Sequence, residues 1–268
     1  MTVDMSAPLQ SPVREEHQPR VTIRRLEANH QGRDFIVGDL HGCRSVLDRA
    51  LHELRFNPAH DRLLSVGDLI DRGPDSPGCL TLLSEPWFHA VQGNHEAMLG
   101  ARLAGDRDSE QMHLHNGGDW FRGARQVVKD PALAAMIDRA VRLPHVLVVG
   151  SGTERYQILH AELPPGRETA VQLDADIDAG LVEVDPSALL WSRNLMLPGT
   201  RPNIPSEQPG LSTTYCGHTP GGNVRRRLSH VCLDTGAVFA RPRRSGDRAL
   251  SIAERRGDRE HCIHRFAV

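Results

Sequence analysis

The sequence predicts an α/β protein. Three short apolar runs, Phe35-Ile36-Val37, Leu63-Leu64-Ser65-Val66 and Trp87 to Val91, each lead into Gly followed by Asp or Asn. Stretches of helical periodicity lie between them. A short, continuous apolar run closed by glycine suits a strand buried on both faces, as in a sheet flanked by helices.

In chain order, residues 1–33 are polar and proline-containing and read as a flexible N-terminal arm, with one strand near Val21–Ile23. A compact domain is expected over residues 34–240, followed by an Arg-rich segment over 241–268 with an edge strand around Ala249–Ile252. Val46, Leu47, Ala50, Leu51 and Leu54 share one helical face, with Ser45 as the expected N-cap. Ser76-Pro77 reads as an N-cap and first-turn proline opening a second helix. Helical patterns also cover Ala97–Leu103 and Ala132–Val141. Further strands are expected at His145–Val149, Tyr156–Leu159, Thr213–Cys216 and Val231–Leu233. The stretch from Leu163 to Gly210 is rich in Pro, Gly and Asp, and reads as loops with a short helix near Ser187–Leu190.

Composition excludes several classes. The 268 residues carry 32 Lys+Arg against 34 Asp+Glu, a formal net charge of −2. A nucleic-acid partner is therefore not expected, despite the clusters Arg225-Arg226-Arg227 and Arg241–Arg244. The five cysteines are odd in number and show no C-x-x-C spacing, which fits neither a zinc ribbon nor a disulfide framework. A reducing cytoplasm is the expected setting. The N-terminus lacks a signal-peptide core, and no apolar run reaches the ~18–20 residues that span a bilayer, so no membrane partner is expected. The 15 histidines raise the question of which are ligands.

Three strand ends carry the same kind of cargo: Gly38-Asp39-Leu40-His41-Gly42, Gly67-Asp68-Leu69-Ile70-Asp71-Arg72-Gly73 and Gly93-Asn94-His95-Glu96. His160 and His218 each follow a later strand. Taken singly, a Gly-Asp pair is a turn and a lone His is a surface or hydrogen-bonded residue. Taken together, the carboxyl ends of adjacent strands bring Asp39, His41, Asp68, Asn94, His160 and His218 to one place. Carboxylate, imidazole and amide oxygen suit borderline first-row cations. Six ligands exceed what one open catalytic metal takes, and they suit two metals sharing a carboxylate.

GDLHG, GDLIDRG and GNHE together resemble the signature of the phosphoprotein phosphatase family of metallophosphoesterases, in particular the bacterial and phage lambda-type serine/threonine protein phosphatases. The resemblance extends to Pro86-Trp87-Phe88, Asn116 to Phe121, Trp191-Ser192-Arg193, Gly217-His218-Thr219-Pro220 and Asp234 to Phe239. It implies a layered β-sandwich flanked by helices, with a dinuclear metal site at strand ends and the catalytic domain over 34–240. It places Asp39, His41 and Asp68 on one metal, and Asp68, Asn94, His160 and His218 on the other. Arg72 and Arg193 match the arginines that grip the phosphate, His95 the catalytic acid and Asp71 its carboxylate partner. The implied cofactors are two divalent ions, manganese first, with iron or zinc as alternatives. The implied reaction is in-line attack on phosphorus by a metal-bridging hydroxide. The implied substrate is a phosphoprotein or phosphopeptide bearing phosphoserine or phosphothreonine, with phosphotyrosine left open. Two other readings stay open: a symmetrical dinucleoside polyphosphate hydrolase, and a non-catalytic module that binds phospho-ligands. Oligomeric state is not legible in the sequence.

Overall fold

The structure is a computed structural model that describes residues 20–122, 129–197, 203–239 and 248–268. Its strands in chain order are β1 (Ile23–Leu26), β2 (Asp34–Val37), β3 (Arg62–Ser65), β4 (Phe88–Ala90), β5 (Val146–Val149), β6 (Tyr156–Leu159), β7 (Thr213–Cys216), β8 (Arg225–Arg227), β9 (His230–Cys232), β10 (Ala249–Arg256) and β11 (Arg259–Ala267). The helices are α1 (Arg44–Glu53), α2 (Ser76–Thr81), α3 (Asn94–Leu103), α4 (Arg107–His115), α5 (Pro131–Val141), α6 (Asp174–Asp178) and α7 (Pro186–Trp191).

The strands form two sheets, ordered β1-β5-β6-β7-β9-β8 and β11-β10-β2-β3-β4. Strand pleating explains why apolar runs without polar alternation form them. In β2, Phe35 and Val37 point to a cluster that includes Leu47 and Ala50 of α1 and Leu133 and Ile137 of α5. Ile36 points the other way, into a cluster with Leu147, Val149, Ile158 and Tyr215 of the facing sheet. β5 divides likewise: Leu147 and Val149 enter the core between the sheets, while Val146 and Val148 pack with Ile177 and Leu189 on the outer face. The result is the expected two-sheet sandwich with helices outside.

β2, β3 and β4 run parallel, so their carboxyl ends share one edge. β6, β7 and β9 are mutually parallel in the other sheet. The site is built along these ends.

Several local expectations change. Cys43, not Ser45, precedes α1. Asp75, not Ser76, caps α2, because its Oδ1 reaches the Gly78 amide at 2.8 Å. Of the expected arm, residues 1–19 lie outside the described residues, while β1 pairs in parallel with β5. The expected edge strand in the Arg-rich tail is instead β10, an interior strand held between β2 and β11. The stretch read as loops also holds α6. Arg225–Arg227, read as solvated charge, forms β8, whose Arg225 and Arg227 donate to the carbonyls of Met196 and Leu195. The Arg241–Arg244 cluster lies outside the described residues.

Candidate active site and metal centre

The predicted residues converge. Asp39 and His41 follow β2, Asp68, Asp71 and Arg72 follow β3, and Asn94 and His95 open α3 just past β4. His160 follows β6, His218 follows β7, and Arg193 lies just beyond α7. The turns that deliver them are tight. His41, Asp68, Asp71, Arg72 and His218 all have positive φ, between 42° and 73°. Non-glycine residues held this way cost about 1–3 kcal/mol each and cluster at functional sites.

Each imidazole is oriented by its second nitrogen. His41 Nδ1 lies 2.8 Å from the Ile70 carbonyl, and His160 Nδ1 lies 2.8 Å from the Val66 carbonyl. Both rings therefore donate from Nδ1 and present a bare Nε2 to the site. His218 is turned the other way, with Nδ1 3.0 Å from Asn94 Oδ1 and Nε2 3.3 Å from the Trp191 carbonyl. Asn94 Oδ1 also lies 2.9 Å from His160 Nε2. Asp68 sits in the middle: Oδ2 is 3.5 Å from His41 Nε2, and Oδ1 is 3.4 Å from His160 Nε2. One carboxylate thus faces a histidine on either side, the placement a shared ligand requires.

The donor set fits divalent cations. Two groups, His41/Asp68/His95 and Asp68/His160/His218, each keep their donor atoms within 4.8 Å of one another and could hold an ion. Burial pushes the Asp39 and Asp68 carboxyls well above their usual range, with repulsion from Asp234 at Asp39 and from Glu96 at Asp68 adding to it. Burial pushes His41 and His160 well down, and it brings His218 to about 3 with help from Arg193. Neutral imidazoles beside crowded carboxylates favour a cation, which coordinates the first and relieves the second. Asp39 stands apart from both groups; its two oxygens accept from the His218 amide at 3.2 and 3.1 Å.

A model of the calcineurin-like phosphoesterase family matches residues 35–236. The chain belongs to this family. It is a metallophosphoesterase, a hydrolase of a family that uses divalent metal ions. It is 40% identical to the serine/threonine-protein phosphatase 1 of Salmonella typhimurium, over 83% of this chain and 94% of that one. It is 33% identical to serine/threonine-protein phosphatase 2 of Escherichia coli, over 82% and 94%. It is also 35% identical to a symmetrical bis(5'-nucleosyl)-tetraphosphatase of Methylococcus capsulatus, over 76% and 87%. Among solved structures, a serine/threonine phosphatase from Saccharomyces cerevisiae superposes with a TM-score of 0.54 at 18% identity, over 93% of this chain and 84% of that one. A cold-active protein-tyrosine phosphatase of Shewanella gives 0.55 at 13%, over 92% and 83%. Such likenesses show the fold.

The remaining predicted residues of this metallophosphoesterase surround the donor set. His95 is fully buried, and its Nδ1 lies 2.6 Å from Asp71 Oδ2. Among the described residues its Nε2 has no hydrogen-bond partner, although it lies 3.8 Å from Asp68 Oδ2. Burial lowers the His95 ring's affinity for a proton, and the Asp71 bond opposes that. Arg72 reaches the same centre, with Nη1 2.6 Å from His41 Nε2. Arg193 Nε lies 3.1 Å from His218 Nε2. Two guanidinium groups thus flank the donors from different elements.

Four further residues of the site were not given roles by the sequence. His113 is fully buried, with Nε2 3.1 Å from Asp71 Oδ1. Trp120 Nε1 donates to the same oxygen at 2.6 Å. Burial alone would raise Asp71, but the bonds from His113 and His95 outweigh it and bring the carboxyl to about 2. Glu96 accepts from the amides of Asp68, Leu69 and Gly93 and so fixes the turn that carries Asp68. Glu162 accepts from Ser192 Oγ and the amides of Leu195 and Met196, holding the loop around Arg193. His113 and Trp120 flank the Asn116-Gly117-Gly118 stretch of the resemblance, the one signal that could have pointed to them.

Proposed function

We propose that this metallophosphoesterase is a serine/threonine protein phosphatase, open also to phosphotyrosine, that works with two Mn²⁺ ions. The observation that carries the reading is the 40% identity to a serine/threonine-protein phosphatase over 83% of this chain and 94% of that one. Asp39, His41 and Asp68 would hold one ion, and Asp68, Asn94, His160 and His218 the other. The ions, once bound, would supply an acidified water as nucleophile and screen the phosphate charge.

The chain's own residues do the rest. Arg72 and Arg193 offer forked donors to phosphate oxygens and stabilise the charge that develops during attack. His95 protonates the leaving oxygen from Nε2, the nitrogen that has no other hydrogen-bond partner among the described residues. Asp71 holds Nδ1–H and stabilises the cationic ring. The incoming phosphate dianion adds negative charge beside His95 and offsets the burial that disfavours its protonated form.

The second reading, a symmetrical dinucleoside tetraphosphate hydrolase, rests on the 35% identity to the Methylococcus enzyme. The test compares kcat/KM for phosphoserine and phosphothreonine peptides with that for diadenosine tetraphosphate. A higher value for the peptides is expected. A strong preference for the dinucleotide would overturn the protein-phosphatase reading in favour of the second.

A further inference from the structure

A further cluster of side chains that could hold a metal ion lies on the β10–β11 hairpin. Glu254 of β10 stands directly opposite Cys262 of β11. His264 is two residues further along β11 and so shares the face of Cys262. The donor atoms Glu254 Oε2, Cys262 Sγ and His264 Nε2 all lie within 4.8 Å of one another. The hairpin falls outside the family match at residues 35–236. Glu254 pairs with Phe35, four residues upstream of Asp39 in the chain, so the cluster adjoins the start of β2 and not its catalytic end.

The contacts distinguish a ligand set from a proton relay. Cys262 Sγ is 3.0 Å from His264 Nε2, and Glu254 Oε2 is 3.1 Å from that same nitrogen. A nucleophile–base–carboxylate relay uses the two different nitrogens of the ring. Here all three donors converge on one point, with Sγ to Oε2 at 3.9 Å. Ligands at ordinary zinc bond lengths in a tetrahedron stand about 3.3–3.6 Å apart. The observed separations of 3.0, 3.1 and 3.9 Å bracket that range, so small side-chain rotations suffice.

The surroundings are also arranged. Glu254 is buried, and its other oxygen, Oε1, is held by Arg256 at 2.9 Å with Arg33 at 3.9 Å. The guanidinium groups thus fix one oxygen and leave Oε2 aimed at the thiol and imidazole, the role outer partners play at metal sites. The His264 ring stacks on Phe266, and its side chain is 31% exposed, which leaves the cluster open to solvent.

We propose that Glu254, Cys262 and His264 form a third metal site, of Zn²⁺ type, separate from the catalytic centre. A thiolate and an imidazole select zinc over manganese, whereas the catalytic donor set contains no sulfur. The proposal stands independently of the substrate assigned above.

The test is a Co²⁺ titration of the full chain under reducing conditions, read in the near-ultraviolet, where thiolate-to-cobalt charge transfer absorbs. The wild type should show this band, Zn²⁺ should displace it, and excess Mn²⁺ should not. Cys262→Ala should lose the band while keeping the visible cobalt spectrum and phosphatase activity. His264→Gln should shift the band to at least about tenfold higher Co²⁺, since loss of one ligand weakens the set. No band in the wild type would overturn the proposal. So would a band that persists in Cys262→Ala, because another cysteine would then be its source.

Discussion

In the proposed reaction the chemistry turns on His95, and its two nitrogens would have different roles. Nδ1 is bound to Asp71, and Nε2 faces the donor set without a partner among the described residues. His95→Ala should lower kcat by about 10²–10⁴-fold, the contribution of a positioned acid, while bound metal stays nearly unchanged. Elemental analysis beside steady-state kinetics checks this, and a variant without metal would make His95 a ligand. A different histidine contributes to the pH dependence of stability. His230 is fully buried, with Nδ1 bonded to the Leu228 carbonyl and Nε2 accepting from the Leu163 amide. This arrangement satisfies only the neutral ring, and burial takes its pKa from 6.5 down to about 4. Between those values the unfolded chain holds a proton that the folded chain lacks, so stability falls as pH falls through the window, by about 3 kcal/mol in all. His230→Gln, which can donate and accept in the same way, should remove that part of the slope in denaturant titrations at pH 7 and pH 4.5.

At the scale of elements, the site depends on turns packed too closely for a side chain. A Cβ on Gly217, just past β7, would lie 1.9 Å from Asp39 Oδ1. Gly217→Ala must therefore move the Asp39 carboxylate or the β7 turn that carries His218. A loss of about 10–100-fold in metal affinity is expected, as for other disturbed supports of metal ligands. Isothermal titration with Mn²⁺ reads this directly, and unchanged affinity would argue that Asp39 is not a ligand. The short Gly-Asp turns were legible because turn chemistry is written in neighbouring residues. The helix caps were displaced by one or two residues, since Asp75 competes with Ser76 for the same amides and only the folded geometry selects between them. β8 was missed because three consecutive arginines resemble a solvated charge run. Two of them instead reach carbonyls of the 195–196 segment, a contact no local pattern encodes.

At the scale of the whole molecule, the donors come from both sheets. Asp39, His41, Asp68 and Asn94 extend from one sheet, and His160 and His218 from the other. Ions held between them would bind only the folded state, so saturating metal is expected to add a few kcal/mol of stability, about 2.7 at a hundredfold excess over Kd. Treatment with a chelator should lower Tm by about 5–10 °C and abolish p-nitrophenyl phosphate hydrolysis, with Mn²⁺ restoring both. Turnover that survives the chelator would rule out metal-dependent hydrolysis. Among the described residues, no helix is long and apolar enough to cross a membrane.

The strand ends and the residues they carry are written in local sequence. Apolar runs, glycine turns and the side chains beside them are all local, and parallel strands bring such ends together whatever the detail of packing. Only the tertiary structure decided how those residues are held. Asp71 is bonded by His113 and Trp120, which lie 42 and 49 residues away. Glu162 braces the loop of Arg193 from about 30 residues off, and Glu96 braces the turn of Asp68 from 28. The same holds for β10, which sits inside its sheet because Ile252 to Arg255 find β2 more than 200 residues earlier in the chain. Contacts at that separation follow from how the layers stack, and no run of neighbouring residues records them.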